Sequence, residues 1–448
     1  MRGNGRTLTA IMTLFVVALV AAAPVAALDF GGTLGNTTEL TVPFDDDFEL
    51  GQGNRTSLYL RHFFGEQLEL VARGRYEYRM DTVFGDDTDT EVDWWQGDLD
   101  ALYARARLPV AGEDGALAEL QAGRFRLREF SGDLLAEPAD GLRAVFRTSG
   151  GDLTLAGGYT GFLMKESSSL LLSGPDLGDD ADDDTYFAPP RALALFELSL
   201  PEIIGRQNVN VAFVGQGDLR DEDDLDAEEG LVHNAYLGAG VSGPLVSTLF
   251  YDVYGYFGGG SQYTDVGGFT ADKPISSFLV GANLQYFMPE AARSMVSLGY
   301  LYSSGDKDRG EFYENTTGET STMFVGLTPP GFGAVFSPRL GNLMVADASY
   351  SLKPFADGGP PALEQFQAEL SVLNFFRPTT GVISEVGADT SSDALYLGSE
   401  ADLALSFRPF SDLGFSLVNG VFIANDEAFL DDTTGNEYVA RLEATFSF

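Results

Sequence analysis

Glu437-Tyr438-Val439-Ala440-Arg441-Leu442-Glu443-Ala444-Thr445-Phe446-Ser447-Phe448 closes the sequence and decides how the rest is read. Tyr438, Ala440, Leu442, Ala444, Phe446 and Phe448 share one parity and are apolar. Glu437, Arg441, Glu443, Thr445 and Ser447 occupy the other, together with Val439. Successive side chains of a strand point to opposite faces, so one face of this segment suits lipid and the other water. An edge strand of a soluble sandwich could carry one such stretch. Many of them in one chain require a barrel.

The alternation returns along the whole chain. From Gln67 to Met80, Leu68, Leu70, Ala72, Gly74, Tyr76, Tyr78 and Met80 face Gln67, Glu69, Arg73, Arg75, Glu77 and Arg79, with Val71 the one exception. A soluble protein would also need wholly apolar strands or helices to cover such sheets, and few are present. Similar segments lie near 33–42, 55–64, 97–108, 116–125, 140–148, 152–162, 191–200, 207–217, 232–241, 246–258, 277–288, 294–303, 342–352, 365–376, 395–408 and 412–424. The expected fold is all-β, a transmembrane antiparallel up-and-down β-barrel of about 18 strands, or 16 if a weak pair is lost.

The connections form an independent test. Gly65-Glu66, Pro109 to Gly115, Ser149 to Gly151, Pro201 to Gly205, Ser242 to Pro244, Pro289 to Arg293, Lys353 to Ala362 and Pro409 to Ser411 are mostly short and rich in Gly, Pro and Ser. Such composition suits tight turns. The alternate set, 43–54, 81–96, 163–190, 218–231, 259–276, 304–341, 377–394 and 425–436, reads as mostly long loops. Tyr59, Tyr78, Tyr286, Tyr300, Tyr302, Phe407 and Tyr438 are candidates for aromatic girdles at the two membrane surfaces.

At the start, Arg2 and Arg6 precede an apolar run from Ile11 to Val20 and the small residues Pro24-Val25-Ala26-Ala27. This order is that of a secretory signal peptide over 1–27, leaving 28–448 as the barrel. Removing it takes away two basic residues and no acid, so 25 Lys+Arg face 67 Asp+Glu and the charge moves from −40 to −42. Nucleic acid is excluded as a partner by that sign, because phosphate binding needs a basic footprint. The chain has no cysteine, hence neither disulfides nor a thiolate metal site. Asp45-Asp46-Asp47, Asp86 to Asp93, Asp179 to Asp184 and Asp221 to Glu229 put much of the acidity in the long loops, as solvated surface or as an attraction for divalent cations. No calcium-loop pattern accompanies them, since Thr185 and Glu229 stand where glycine is needed. No cofactor is implied.

Arginine is unevenly placed. Arg73, Arg75, Arg79, Arg105, Arg107, Arg124, Arg126, Arg128, Arg143 and Arg147 fall on the third to sixth strands, mostly with luminal parity. Glu69, Glu77 and Glu119 share those strands and are expected to pair with some of them. The group reads either as a ladder stiffening the wall or as a pore-lining positive strip that orients permeating solutes. Planar guanidinium forks suit carboxylate and phosphate groups. Arg124, Arg126 and Arg128 enter the third loop, which is expected to fold inward as a constriction. His62 and His233 are the only histidines, and no nucleophile elbow, zinc-protease or phosphate-loop pattern occurs, so no catalytic residue is assigned.

The strand ending in Phe446-Ser447-Phe448, with Tyr438, resembles the terminal signal that outer-membrane barrels of Gram-negative-type envelopes present to their assembly machinery. Leu120-Gln121-Ala122-Gly123-Arg124 followed by Ala139-Asp140-Gly141-Leu142-Arg143 resembles outer-membrane porins, and more loosely the alginate-export-type barrels. So do Leu397-Gly398-Ser399-Glu400-Ala401-Asp402-Leu403, Ser411-Asp412-Leu413-Gly414-Phe415 and Gly420-Val421-Phe422. The resemblance implies an outer-membrane channel with lipids, assembly machinery and small hydrophilic solutes as partners, and an arginine-lined conduit. The rival readings are an occluded barrel acting as an adhesin or structural protein through its acidic loops, favoured if 304–341 fills the pore, and a membrane-embedded hydrolase. A homo-oligomer is left open, since no interface signal decides it.

Overall fold

A computed structural model describes residues 28–44, 47–84, 89–110, 116–220, 230–266, 269–430 and 435–448. The expected signal peptide, 1–27, lies outside them, as do Asp45, Asp46, Asp86, Asp87 and the run Asp221 to Glu229. Eighteen strands follow in order: β1 Leu28–Pro43, β2 Phe48–Phe64, β3 Leu68–Phe84, β4 Asp89–Pro109, β5 Leu117–Arg128, β6 Ala136–Thr148, β7 Gly151–Tyr159, β8 Arg191–Ile204, β9 Gln207–Asp218, β10 Val232–Val246, β11 Leu249–Val266, β12 Phe269–Met288, β13 Ser294–Ser303, β14 Leu343–Leu352, β15 Gln367–Phe376, β16 Tyr396–Phe410, β17 Leu413–Ala424 and β18 Glu437–Ser447. Each pairs antiparallel with its sequence neighbours, and β18 closes onto β1 with Thr33 opposite Ser447 and Pro43 opposite Glu437. Closure leaves no open edge, so the backbone polar groups of every strand find partners within the sheet.

The parity read from the sequence sorts the two faces. Leu142 is 69% exposed, Phe257 59% and Leu58 54%, all in outward rows, and they share a continuous apolar band with Leu237, Leu298, Leu370 and Leu442. An exposed apolar belt of that extent on a closed barrel is a lipid-facing surface. Tyr78, Tyr286, Tyr300, Tyr302, Phe407 and Tyr438 keep the outward parity. Tyr59 does not: its ring lies against Gly31 on the inner face, because its odd position in β2 pairs it with luminal Arg73.

Among the described residues, the connections expected to be short gather at one end of the barrel, which also holds both ends of the strand series. At the other end, three connections expected to be long are short: 44–47, 85–88 and 267–268. Here β2, β3, β4, β11 and β12 run on past their expected limits, so that Phe48 pairs with Phe84 and Val266 with Phe269. Ladder hydrogen bonds need no lipid, and beyond the membrane both faces meet water, so the alternation that marks a strand fades while the strand continues.

The remaining loops are long where expected, and three fold inward. L3 (129–135) joins β5 to β6, L4 (160–190) joins β7 to β8, and L7 (304–342) joins β13 to β14. Leu134 and Leu135 of L3, Leu170 and Leu172 of L4, and Met323, Phe324 and Leu327 of L7 build one apolar cluster with Leu195, Val214, Tyr236 and Leu279 of the wall. A second cluster seats Phe336 of L7 on Phe375, Phe422 and Phe429, its ring stacked on Phe422 at 4.4 Å. The loop backbone is satisfied there as well: Val335 and Phe336 N–H donate to the Glu400 carboxylate at 2.8 Å each. L7 thus fills the side of the lumen along β8–β17.

L4 is held by charge. Its helix α1, Gly174–Ala181, starts at Ser173, whose N–H donates to Asp176 at 3.2 Å. Fully buried Arg191 of β8 pairs with Asp176 at 2.6 Å and Asp218 at 3.0 Å. Arg220 bridges Asp176, Asp179 and Asp218. Burial opposes the Arg220 charge, but hydrogen bonds and attraction from Asp218 and Asp176 outweigh it and raise its pKa.

Candidate functional site

The wall that L7 leaves uncovered runs through β18, β1 and β2 to β6, is reached by L4 midway, and carries the arginines. Register alone places them: Tyr59 pairs with Arg73, Ser57 with Arg75, Gly53 with Arg79, Arg107 with Glu119 and Gln121 with Arg143, all on the inner face.

Toward the short-turn end, two carboxylates are each surrounded by three guanidinium groups. Glu69 lies 2.7 Å from Arg61, 3.6 Å from Arg105 and 3.8 Å from Arg107. Glu119 lies 3.4 Å from each of Arg105, Arg107 and Arg147, and Arg147 reaches Asp152 at 3.7 Å. Both glutamates are buried, whereas the Arg107 and Arg147 side chains are 49% and 44% exposed. Buried carboxylates under half-exposed arginines fix the guanidinium planes and leave a positive face toward the lumen. Arg61, on β2, belongs to this group and was missed in the sequence, where it sat one strand outside the arginine-rich stretch.

Midway along the wall, Arg73, Arg75 and Arg126 line a cavity of about 300 Å³ with Asp98, Asp100, Pro138, Leu163 and Ser167. L4 enters here through a short 3-10 turn, Lys165–Ser167. Arg75 donates to Ser167 Oγ at 2.7 Å, Ser167 donates to Asp98, and Arg75 lies 3.6 Å from Asp100. A bulge makes this possible. Arg73 pairs with Ala101 but Gly74 with Leu99, so the extra residue Asp100 brings Asp98 opposite Arg75 where Leu99 would otherwise stand. Arg73, Arg126 and Arg143 make no ion pair among the described residues.

Further toward the loop end, a polar groove of about 540 Å³ lies over β18, β1, β2 and β3. Arg55 pairs with Glu77 at 3.0 Å, Arg79 with Asp81 at 2.6 Å, and Arg441 with Glu39. Gly35, Gly51 and Gly53 keep its floor low. The Arg55 and Arg79 side chains remain 55% and 62% exposed, so water reaches this inner wall.

Arg124 has a different setting. It is buried and spends its donors on Asp140 at 2.8 Å, Asp98 at 3.2 Å, and the carbonyls of Leu99 and Phe162. It ties the β4 bulge to β6 and to the root of L4. Phe446 and Phe448 are outward and exposed, and Tyr438 Oη donates to Asn419 at 2.8 Å. Phe448 exchanges two 3.0 Å backbone hydrogen bonds with Gly32 and so completes the seam. His62 and His233 stand on β2 and β10, eight strands apart in the barrel order.

No family model and no curated protein matches the chain. Solved structures do. Pseudomonas aeruginosa OccK7 (OpdD) superposes with a TM-score of 0.59 at 14% identity, covering 94% of this chain and 99% of that one. Pseudomonas aeruginosa OpdL (TM-score 0.54, 13% identity) and OpdQ (0.54, 10%) each cover 94% of this chain and 98% of their own. At such identities the likeness establishes the fold, a closed barrel of eighteen strands with the same overall course.

Proposed function

We propose that the protein is an outer-membrane channel through which small hydrophilic solutes diffuse passively, guided along an arginine-bearing wall. The observation that carries this reading is the series of half-exposed guanidinium groups, Arg55, Arg61, Arg79, Arg107 and Arg147, on an inner wall that L4 touches only midway, while L7 fills the opposite side. A barrel of this strand number encloses more space than its own side chains occupy. The short-turn end is then periplasmic and the loop end extracellular. The solved Pseudomonas barrels of the same fold are OprD/Occ outer-membrane porins, which supports the location and the class. The planar guanidinium forks of the wall suit solutes bearing carboxylate or phosphate groups. The terminal strand with Tyr438, Phe446 and Phe448 is the segment we assign to the assembly machinery.

A second reading, the occluded barrel serving as adhesin or structural protein, draws on the depth to which L7 enters. One experiment separates the two: the mature chain, refolded into a planar bilayer under a potassium chloride gradient. Discrete current steps with a reversal potential favouring chloride support the arginine-guided channel. Inserted protein that passes no current overturns it in favour of the occluded barrel.

A further inference from the structure

L3 folds inward and rests its tip on the neighbouring stretch of wall, at β8, β10 and β11. Phe130 stacks on Tyr256 at 5.5 Å and lies over Gly240, where any Cβ would come within 2.7 Å of its ring. Tyr256 Oη donates to Glu129 at 2.5 Å, and Tyr254 Oη donates to Asp133. Glu129 also accepts the N–H groups of Ser131, Gly132 and Leu134, which shapes the tip. Glu197 of β8 accepts the N–H of Phe130. At its base L3 is pinned differently: Leu134 O accepts the N–H groups of Leu327 and Thr328, backbone bonds to L7 that do not titrate.

The tip interface therefore gathers four carboxylates. Glu129 and Asp133 come from L3, Glu197 from β8 and Asp252 from β11. Facing Asp133 are Glu129 on its own loop, Asp252 and the Tyr254 phenol on β11, and Arg128 at the end of β5. Arg143 is the cation acting on Glu197. Two guanidinium groups against four acids leave the docked tip with an excess of negative charge whenever all are ionised, and confinement sharpens that repulsion.

We propose that L3 is a proton-latched strap, docked on β10 and β11 when the carboxylate cluster holds a proton and released from that wall when the cluster is fully ionised. Docking itself is independent of the channel reading; its effect on current rests on it. Burial, then repulsion from Glu129 and Asp252, pushes the Asp133 carboxyl up to about 7 against the opposing pull of Arg128. A group whose pKa is raised in the docked state stabilises docking below that value and stops doing so as pH rises through it. With 3.8 as the undocked value, the docking constant falls about thirty-fold between pH 5.5 and 8.

Hydrogen exchange of the full mature chain in lipid nanodiscs tests this without any current. After correction for intrinsic exchange rates, protection of amides 130–133 is expected to fall by one to two powers of ten, on the order of that linkage factor, from pH 5.5 to 8, while strand amides hold. Asp133→Asn is expected to keep protection high at both values. Asp252→Asn, which removes one repelling charge and leaves the loop sequence intact, is expected to move the midpoint to lower pH. Equal protection at both pH values in the unmodified chain, or an Asp133→Asn variant that still loses protection with the same midpoint, overturns the latch. In bilayers, release is expected to appear as current flicker above pH 7. Steady current at every pH alongside pH-dependent exchange would confine the latch to the loop, and absence of all current would count against the channel alone.

Discussion

Reversing the charge of Arg73 probes the arginine wall with least disturbance to the fold. Arg73 lines the midway cavity with Arg75 and Arg126 but makes no ion pair among the described residues, so Arg73→Glu breaks no bridge. A monovalent ion passing 5 Å from a unit charge in water feels about 0.8 kcal/mol, and screening at physiological salt, with a Debye length near 8 Å, leaves about 0.4 kcal/mol. Reversal changes that by two charges for the anion and by the opposite amount for the cation. The anion-to-cation preference at the site then falls by about 1.8 kcal/mol, or roughly twenty-fold. An ion passing at 10 Å sees much less, and the ratio falls only about twofold. The measured permeability ratio, taken from the reversal potential in a salt gradient, is therefore predicted to drop by between about two and twenty times, with thermal stability unchanged to within about 0.5 kcal/mol. A ratio equal to that of the unmodified channel would remove Arg73 and its cavity from the permeation path and refute the reasoning.

Arg191→Ala is predicted to leave buried Asp176 and Asp218 sharing Arg220 as their one remaining cation among the described residues, costing about 3 kcal/mol locally; limited proteolysis should cut within 160–190 while the barrel stays intact. Phe336→Ala empties the ring stack on Phe422 and should loosen L7 by about 3–5 kcal/mol, read as larger or noisier single-channel conductance. Gly32→Val places a Cβ 2.6 Å from Ser57 O and 2.8 Å from the Phe448 ring, so barrel closure should slow markedly, measured as delayed appearance of the heat-modifiable folded band. An unchanged refolding rate would show that the seam tolerates displacement of Phe448.

What the sequence by itself determined is the wall. Alternation is a property of single strands, and Leu68 through Met80 or Tyr438 through Phe448 display it without reference to any neighbour. All eighteen strands, their order and the luminal parity of Arg73, Arg105 and Arg147 follow from period two and from short connections that force antiparallel neighbours. Strand ends at the loop side were less legible, because Phe48–Gln52 and Asp81–Phe84 lie beyond the lipid and carry no contrast between faces.

Tertiary structure decided what the barrel contains. Leu134, Leu170 and Phe324 come from three loops far apart in the chain, with no periodicity to mark them, and their apolar character acquires a partner only once the barrel brings L3, L4 and L7 to one mouth. The bulge at Asp100 likewise leaves no local mark, yet it changes which residue faces Arg75. Arg124 and Arg73 look alike in the sequence; one is enclosed by Asp98 and Asp140 and the other is left open to the lumen. Periodicity reports the side of a strand on which a residue stands, because that is local backbone geometry. Which charges are neutralised and which remain available to a solute depends on contacts across strands and loops, and those exist only in the closed barrel.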